Sequence, residues 1–350
     1  MKGYTYTELF QLAINKPILA QIEITRNCNH GCFFCFRQCQ PGFKYNDQPL
    51  GKWLLILDKL YSLGIRQLNL SGGEVFLYKD IDSLIKYAKR KKFERIVVNT
   101  NGLIKISPAI SKLTDEIVFS IHGLGKDHDQ ITGVSGSFKN LFSNLASCLK
   151  IRKNVGINTV VSENNIGDLE AIYDHFKDYK LLYHSFNLYI DRENLESKMA
   201  DYSDLFNQYF AFLKTIPQSR LKLRHGMHNV YIDDKNFYQS TIPLPNCAAG
   251  KYKMVIDYKG DIYPCRYFQE EKYLCGNVFS DELQDVWQNG KGFEFFRHFV
   301  LANKIPATCE SCLKRKKCLG GCLAWRVFND KLKIYEKDIR CQFGNAYLRG

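Results

Sequence analysis

The chain has 350 residues, of which 45% are hydrophobic and 14% aromatic, a composition that excludes a disordered chain and is typical of a globular protein with a sizeable core. Lysine and arginine outnumber aspartate and glutamate by 49 to 36, a formal net charge of +13, which favours an acidic partner. No aromatic residues interleave with the basic ones in a stripe, so we expect no nucleic-acid partner.

The N-terminal residues lack an unbroken apolar stretch, and no later segment approaches the roughly 18 consecutive apolar residues of a membrane-spanning helix. We therefore expect a soluble, cytoplasmic protein with no membrane contact. In that reducing compartment, the 13 cysteines favour metal ligation over disulfide bonds.

Short β-rich runs alternate with amphipathic helical patterns from residue 18 to about residue 190, as in successive βα units around a parallel sheet. Trp53, Leu57 and Leu60 recur at helical spacing before Gly64, a suitable C-cap, and Asp80 is placed to N-cap the next helix. The strands are predicted at 18–25, 66–71, 94–99, 115–121, 154–161 and 182–189. Six units are too few for a closed eight-unit barrel, so the fold class is predicted as α/β, a partial (β/α)6 TIM-like barrel with its chemistry at the C-terminal ends of the strands.

The pattern divides the chain into an N-terminal segment at 1–17, the barrel at 18–200, a bridging helix and linker at 201–244, and a C-terminal domain at 245–350. Prolines at 217, 243 and 245 interrupt the linker. The last domain is predicted to be small and rich in loops, with short strands and turns in place of long helices. Its cysteines fall in groups, so iron–sulfur clusters or zinc would hold it together.

Three cysteines directly follow the first predicted strand, in the segment ITRNCNHGCFFCF: Cys28, Cys32 and Cys35. Three thiolates on one tight loop bind three corners of an iron–sulfur cubane and leave the fourth iron open to an outside ligand. Ferredoxins that only transfer electrons use four cysteines and have no such opening. The loop is also rich in polar residues and glycine, which disfavours the alternative of three buried structural cysteines.

With this spacing and with Phe34 before the last cysteine, the sequence resembles the radical S-adenosylmethionine superfamily. The segment Ser71-Gly72-Gly73-Glu74, at the end of the second strand, matches the family's glycine-rich segment, which meets the amino group of the methionine moiety. The glycines would let backbone carbonyls approach the ammonium, and the Glu74 carboxylate would compensate its charge.

The resemblance extends to the ends of the next two strands. It implies that the loop at 99–102, with Asn99 and Asn101, lines the pocket of S-adenosylmethionine, and that Ser120 contacts the ribose or the carboxylate. His122 stands where many relatives carry Asp. It is either a pocket acid or base, the catalytic candidate, or a hydrogen-bonded histidine at a strand end. The resemblance gives Cys39 and Cys148 no role as ligands.

A second constellation resembles the SPASM extension of radical enzymes, in which seven cysteines hold two auxiliary clusters. It consists of Cys247, Cys265, Cys309, Cys312, Cys318, Cys322 and Cys341. By resemblance, Cys309, Cys312, Cys318 and Cys341 ligate an outer cluster, and Cys247, Cys265 and Cys322 an inner one. Some relatives supply a further cysteine where this chain has Lys253, so the inner site is open or uses another group, Cys275 being the spare thiol nearby. Zinc is the alternative, since paired cysteines also form zinc ribbons.

The resemblance implies an enzyme with three [4Fe-4S] clusters, one catalytic and two auxiliary. It would cleave S-adenosylmethionine reductively and abstract hydrogen from a ribosomally made peptide, giving a crosslink, an epimerisation or an oxidation. The implied partners are the peptide and a flavodoxin or ferredoxin as electron donor. Because no leader-binding domain precedes the first strand, we expect the leader to be bound by a separate leader-binding protein or by the basic surface of the enzyme, unless the substrate is small. We expect a monomer.

Three alternatives stay open. A radical dehydrogenase would act on a carbohydrate or other small molecule. A sulfatase maturase would carry Asp after the second SPASM cysteine, where this chain has Arg266. A non-catalytic electron carrier or zinc-stabilised module would not cleave S-adenosylmethionine at all.

Overall fold

The structure is a computed structural model that describes residues 17–151, 154–190, 199–216, 223–225, 249–301, 306–312, 320–327, 338 and 341. Its described strands form one ten-stranded sheet in the order β10-β9-β8-β1-β2-β3-β4-β5-β6-β7. The strands are β1 Leu19–Thr25, β2 Gln67–Gly72, β3 Arg95–Thr100, β4 Glu116–Ser120, β5 Val155–Val161, β6 Tyr183–Leu188, β7 Leu223–His225, β8 Lys253–Ile256, β9 Asp261–Tyr263 and β10 Gly276–Asn277. Neighbours pair in parallel from β8 through β1 to β7, whereas β9 is antiparallel to both β8 and β10.

Helices follow most of these strands, and the predicted helices before Gly64, after Asp80 and at 201–216 are among them. They are α1 Leu50–Leu63, α2 Ile81–Arg90, α3 Pro108–Leu113, α4 Lys126–Thr132, α5 Ser137–Ile151, α6 Leu169–Phe176, α7 Met199–Thr215, α8 Leu283–Asn289, α9 Lys291–Leu301 and α10 Leu323–Val327. Gly64 caps α1 at φ 107°, a conformation that glycine adopts without strain. Asp80 lies at the N-cap of α2 but makes no side-chain capping hydrogen bond. None of the described helices is long and apolar enough to span a membrane.

The parallel sheet confirms the predicted α/β class and partial barrel, and its six central strands agree with the predicted ones to within two residues. Two features differ. The strands β7 and β8 extend the parallel sheet on either side, and β8 joins the C-terminal part of the chain to β1. That part also contains the helices α8 and α9, and the buried Leu283, Val286 and Trp287 of α8 follow helical spacing. The described residues of that part therefore include helices that the sequence did not predict.

The two faces of the sheet differ in chemistry because alternate side chains of a strand point to opposite faces. Ile22, Leu70 and Ile96 are buried with helix residues such as Leu60 and Ile85 in the main core. Val97, Val118 and Tyr183 form a separate small cluster on the opposite, inner face. By strand register, that inner face continues towards the carboxyl ends of the strands with polar residues: Glu23, Asn69, Ser71, Asn99, Ser120, Asn158, Ser185 and Asn187. The inner face of the sheet is thus polar at the carboxyl ends of the strands, where the cysteine motif begins.

Candidate active site

The loop that carries the first three cysteines starts where β1 ends, and it is here called the cluster loop, residues 26–39. Two turns shape it: the Cys35 N–H donates to the Cys32 carbonyl at 3.0 Å, and the Gln38 N–H to the Cys35 carbonyl at 2.8 Å. Burial raises the pKa of Cys28 to about 11, and the pKa of Cys32 is also raised, with the charges of the other thiols adding to the effect. A hydrogen bond from the Cys39 thiol, aided by backbone N–H groups, lowers the pKa of Cys35.

The three thiols of the cluster loop are a donor set that suits an iron–sulfur cubane. Within the described residues, no three His, Cys, Asp or Glu side chains converge closely enough to bind one ion. The cysteine ligands of a cubane bind different iron atoms and therefore lie farther apart than the ligands of one tetrahedral zinc. Cys28, Cys32 and Cys35 are all partly exposed, so this face of the loop is open to a cluster and to a ligand on its fourth iron.

The end of β2 lies directly against the start of the cluster loop. The Gly73 N–H donates to the Thr25 carbonyl and the Glu74 N–H to the Asn27 carbonyl, both at 2.8 Å. A Cβ atom on Gly72 would lie 2.3 Å from the Thr25 oxygen, and Gly72 has φ 140°. The glycines are required here because two backbone segments meet. The structure thus places Gly72 and Gly73 beside the cluster loop.

Glu74 connects this segment to the loop after β3. Its carboxylate is fully buried and accepts hydrogen bonds from the Asn101 N–H at 2.7 Å, the Thr100 hydroxyl at 2.9 Å and the Phe76 N–H at 3.0 Å. Burial raises the pKa of Glu74 to about 7, although the three donors oppose that shift. Both oxygens are used inside the protein, so compensation of a ligand's ammonium charge by Glu74 stays a prediction.

Asn101 reaches the cluster loop itself. Its Nδ2 donates to Asn29 Oδ1 at 2.6 Å and lies 4.0 Å from Cys28 Sγ. Asn99 lies on the inner face, where its amide donates to Asn69. The structure therefore brings Asn101 close to the Cys28 thiol, whereas Asn99 lies on the inner face of β3, two residues earlier in the chain.

The remaining predicted site residues are Ser120 and His122, at the end of β4, and Phe34 of the cluster loop. Ser120 is partly exposed and stands opposite Asn158 in the strand register. The ring of Phe34 meets the His122 ring edge-on, with centroids 4.6 Å apart. His122 is buried, and its Nδ1 accepts the Val160 N–H at 3.1 Å. That bond supports the role of a strand-end histidine, and a catalytic role for His122 stays a prediction.

Two further histidines, which the sequence did not single out, surround His122. His128 Nδ1 accepts the His122 N–H at 3.1 Å, and its ring stacks on that of His122. The His30 ring lies 6.2 Å from the His128 ring. Burial lowers the pKa values of His30 and His128 to about 4 and places that of His122 well below its usual value. All three are therefore neutral at physiological pH.

The second cysteine constellation is described in part, because Cys247 and Cys318 lie outside the described residues. Burial raises the pKa of Cys309, and the charges of Cys341 and Cys312 add to that effect, which places these three predicted outer-cluster ligands near one another.

Asp338 links the outer-cluster cysteines to Cys322. It accepts the Cys322 N–H at 2.8 Å, and its carbonyl accepts the Cys341 N–H at 2.9 Å. The thiols described here are of a kind that binds iron–sulfur clusters.

Cys275, the spare thiol, is held by the polypeptide. Backbone N–H groups of Phe293 and Gly292 contact its sulfur, and burial raises its pKa to about 12. Its thiol also points to the Tyr273 carbonyl at 3.6 Å. Cys39, in the cluster loop, is buried with its thiol 3.4 Å from the Arg26 carbonyl.

Family comparisons agree with this geometry. Residues 22–176 match the model of the radical SAM superfamily, and residues 247–313 match SPASM, an iron-sulfur cluster-binding domain. The chain belongs to the radical SAM superfamily and carries a SPASM domain. It is a radical S-adenosylmethionine enzyme that binds S-adenosylmethionine and iron–sulfur clusters.

Individual relatives cover nearly the whole chain. The AdoMet-dependent heme synthase of Methanosarcina barkeri is 24% identical over 87% of this chain and 91% of its own length. The mycofactocin maturase MftC of Mycolicibacterium smegmatis is 27% identical over 92% of this chain and 82% of its own length. Streptococcus suis SuiB bound to its precursor peptide SuiA shares the fold, with 22% identity and a TM-score of 0.69 over 94% of this chain and 76% of SuiB.

Proposed function

We propose that this enzyme modifies a ribosomally made peptide by radical chemistry and leaves a crosslink, an epimerised residue or an oxidised residue. The observation that carries the proposal is the pairing of β1, which leads into the cluster loop, with the SPASM strand β8 in one continuous sheet. The maturase MftC and peptide-bound SuiB, to which the chain is similar over most of its length, support a peptide as the substrate.

Three [4Fe-4S] clusters would serve this chemistry. Cys28, Cys32 and Cys35 would hold the catalytic one, Cys309, Cys312, Cys318 and Cys341 the outer auxiliary one, and Cys247, Cys265 and Cys322 the inner one. When bound, the catalytic cluster supplies the electron that cleaves S-adenosylmethionine to methionine and the hydrogen-abstracting 5′-deoxyadenosyl radical.

The protein's own residues have simpler tasks. Gly72 and Gly73 keep β2 in contact with the cluster loop, Asn101 holds Asn29 beside Cys28, and Phe34 covers His122. The polar inner face, including Ser120 and Asn158, would bind the cofactor and position the peptide carbon to be attacked. A closed, dry cavity is needed because the radical reacts with any hydrogen donor.

The net charge of the chain indicates the class of its electron donor. The net charge of +13 suits an acidic flavodoxin or ferredoxin as the electron donor. A separate leader-binding protein would deliver the peptide to a monomeric, cytoplasmic enzyme.

The test uses protein purified and reconstituted without oxygen. Iron analysis should give about twelve irons per chain for three clusters, whereas zinc in place of iron would refute the proposal. Reduced enzyme should then form 5′-deoxyadenosine, and a short peptide encoded beside the gene should lose hydrogen mass or change configuration. The variant Cys32→Ala, made as the matched control, should retain the auxiliary iron and form no 5′-deoxyadenosine.

A small-molecule substrate is the second candidate, favoured by the similarity to a heme synthase over 87% of this chain. The same assay separates the two. Turnover of a tetrapyrrole or a carbohydrate in the absence of any peptide would establish the second candidate and overturn the first.

A further inference from the structure

A buried ionic network lies between the cluster loop and the SPASM region. Glu23, on the inner face of β1, has a side chain only 2% exposed and forms an ion pair with Arg37, which is 14% exposed. Gln269 Nε2 donates to the other carboxylate oxygen of Glu23 at 3.0 Å. Glu23 thus receives a partner from the barrel side and another from the C-terminal region, as a buried carboxylate requires.

Arg37 lies two residues after Cys35, the last cysteine of the triplet, and Arg26 lies two residues before Cys28, the first. Arg26 Nη2 donates to the Arg37 carbonyl at 3.3 Å, which ties the two ends of the cysteine triplet together. Arg26 Nη1 also contacts the Tyr258 hydroxyl at 3.4 Å. Arg26 therefore joins the cluster loop directly to a residue beyond β8, and Arg37 does so through Glu23 and Gln269.

The orientation of Gln269 is fixed by chemistry, because a carboxylate only accepts hydrogen bonds and the amide must turn its NH₂ group towards Glu23. Its Oε1 is then buried with no hydrogen-bond partner among the described residues, as is Arg37 Nε. Each such atom costs stability. The contribution of the network lies in its ion pair, which holds the cluster loop to β1.

We propose that Arg37 is a positioning residue of the catalytic cluster. Glu23, itself bound by Gln269, holds its guanidinium, which ties the cluster loop to β1 and places one positive and one negative charge in contact with that loop. The proposal rests on the class of enzyme and not on the identity of the substrate.

Opposite shifts of the cluster's midpoint potential test the charge placement. Reduction adds negative charge to a cluster, so a nearby cation favours the reduced state and a nearby anion disfavours it. Arg37→Met should therefore lower the midpoint potential of the catalytic cluster, followed by EPR during a redox titration, and Glu23→Gln should raise it. A merely structural role would move both variants in one direction or neither, and that result would overturn the proposal.

The affinity for S-adenosylmethionine, measured by anaerobic equilibrium dialysis, tests the positioning. Arg37→Met removes the charge-assisted contact with Glu23, and we expect its affinity for S-adenosylmethionine to be at least about tenfold weaker. Arg37→Lys keeps the charge and should restore most of it. The matched control, Arg90→Met on the exposed side of α2, should bind like the parent.

Gln269→Met keeps the ion pair and provides a milder variant if Arg37→Met loses its fold. It should weaken S-adenosylmethionine binding about threefold while the midpoint potential stays that of the parent. Parent-like affinity in both Gln269→Met and Arg37→Met would overturn the proposal. Neither readout uses a peptide, so a failure here is distinct from a failure of the proposed function.

Discussion

A Cβ atom on Gly73 would lie 2.2 Å from the carbonyl oxygen of Asn27, because the end of β2 and the start of the cluster loop share backbone hydrogen bonds. The two segments that carry the motif residues are thus one packed unit. The two segments can approach this closely because Gly73 has no side chain.

Gly73→Ala should separate these segments, since the Cβ would also lie 2.9 Å from the Arg26 carbonyl oxygen and backbone atoms cannot rotate away. We expect a loss of more than about 2 kcal/mol in unfolding free energy and a drop in iron bound at the catalytic site, measured by EPR and iron analysis. Gly51→Ala, in α1 with no atom within 4 Å of the added Cβ, is the matched control and should retain full iron. Normal iron content in Gly73→Ala would contradict the packing argument.

Glu74 should make stability fall as pH rises. Its pKa is about 7 in the folded chain against an ordinary value of 4.5, so folding takes up a proton between pH 4.5 and pH 7. The stability that this proton contributes is complete below pH 4.5 and is lost as the pH rises through 7. The difference amounts to ~3 kcal/mol. Urea unfolding from pH 4.5 to 7.5 should show a flatter pH dependence for Glu74→Gln than for the parent.

The glutamine variant also turns an NH₂ group towards a backbone donor, which costs a pH-independent amount and leaves the slope comparison intact. Glu94→Gln, at an exposed position, should keep the parent's slope. Equal slopes for Glu74→Gln and the parent would show that Glu74 is ionised throughout this range.

Local sequence patterns account for much of this architecture. The six central strands and the cysteine spacing could be predicted because alternation, helical periodicity and motif spacing are local signals. The strand β7 could not, since Leu223–His225 is three residues long and shows no alternation. Arg26 and Arg37 look like solvated loop charges in the sequence. Their burial depends on Glu23, Tyr258 and Gln269, and such long-range partners leave no local signal.

His122→Asn should distinguish a structural histidine from a catalytic one. Asparagine offers an oxygen near the position of Nδ1, so the hydrogen bond from the Val160 N–H is retained. We expect reductive cleavage of S-adenosylmethionine and peptide turnover within about tenfold of the parent, whereas loss of a general acid or base costs roughly 10²–10⁴-fold. A drop of that size with normal iron content would make His122 catalytic.

His128 should make the protein sensitive to acid. Burial lowers its pKa to about 4 from 6.5, so its contribution is complete above pH 6.5 and is lost as the pH falls towards 4. The expected loss is ~3 kcal/mol, opposite in sign to the effect of Glu74. Thermal midpoints at pH 7.5 and 5 should differ less in His128→Asn, which keeps an acceptor for the His122 N–H, than in the parent. An unchanged difference would mean that His128 is already charged or hydrated in the folded state.

Cys275→Ala should leave all the iron in place. The Cys275 sulfur contacts the backbone of Gly292 and Phe293, and a Cβ on Gly292 would lie 2.7 Å from it, so the thiol is packed closely against the polypeptide. Replacement by alanine should cost about 1 kcal/mol of stability and leave iron per chain and the EPR spectra unchanged. Cys309→Ala, the matched control at a predicted outer-cluster ligand, should lose about four irons. Iron loss in Cys275→Ala would instead make Cys275 the missing ligand of the inner cluster.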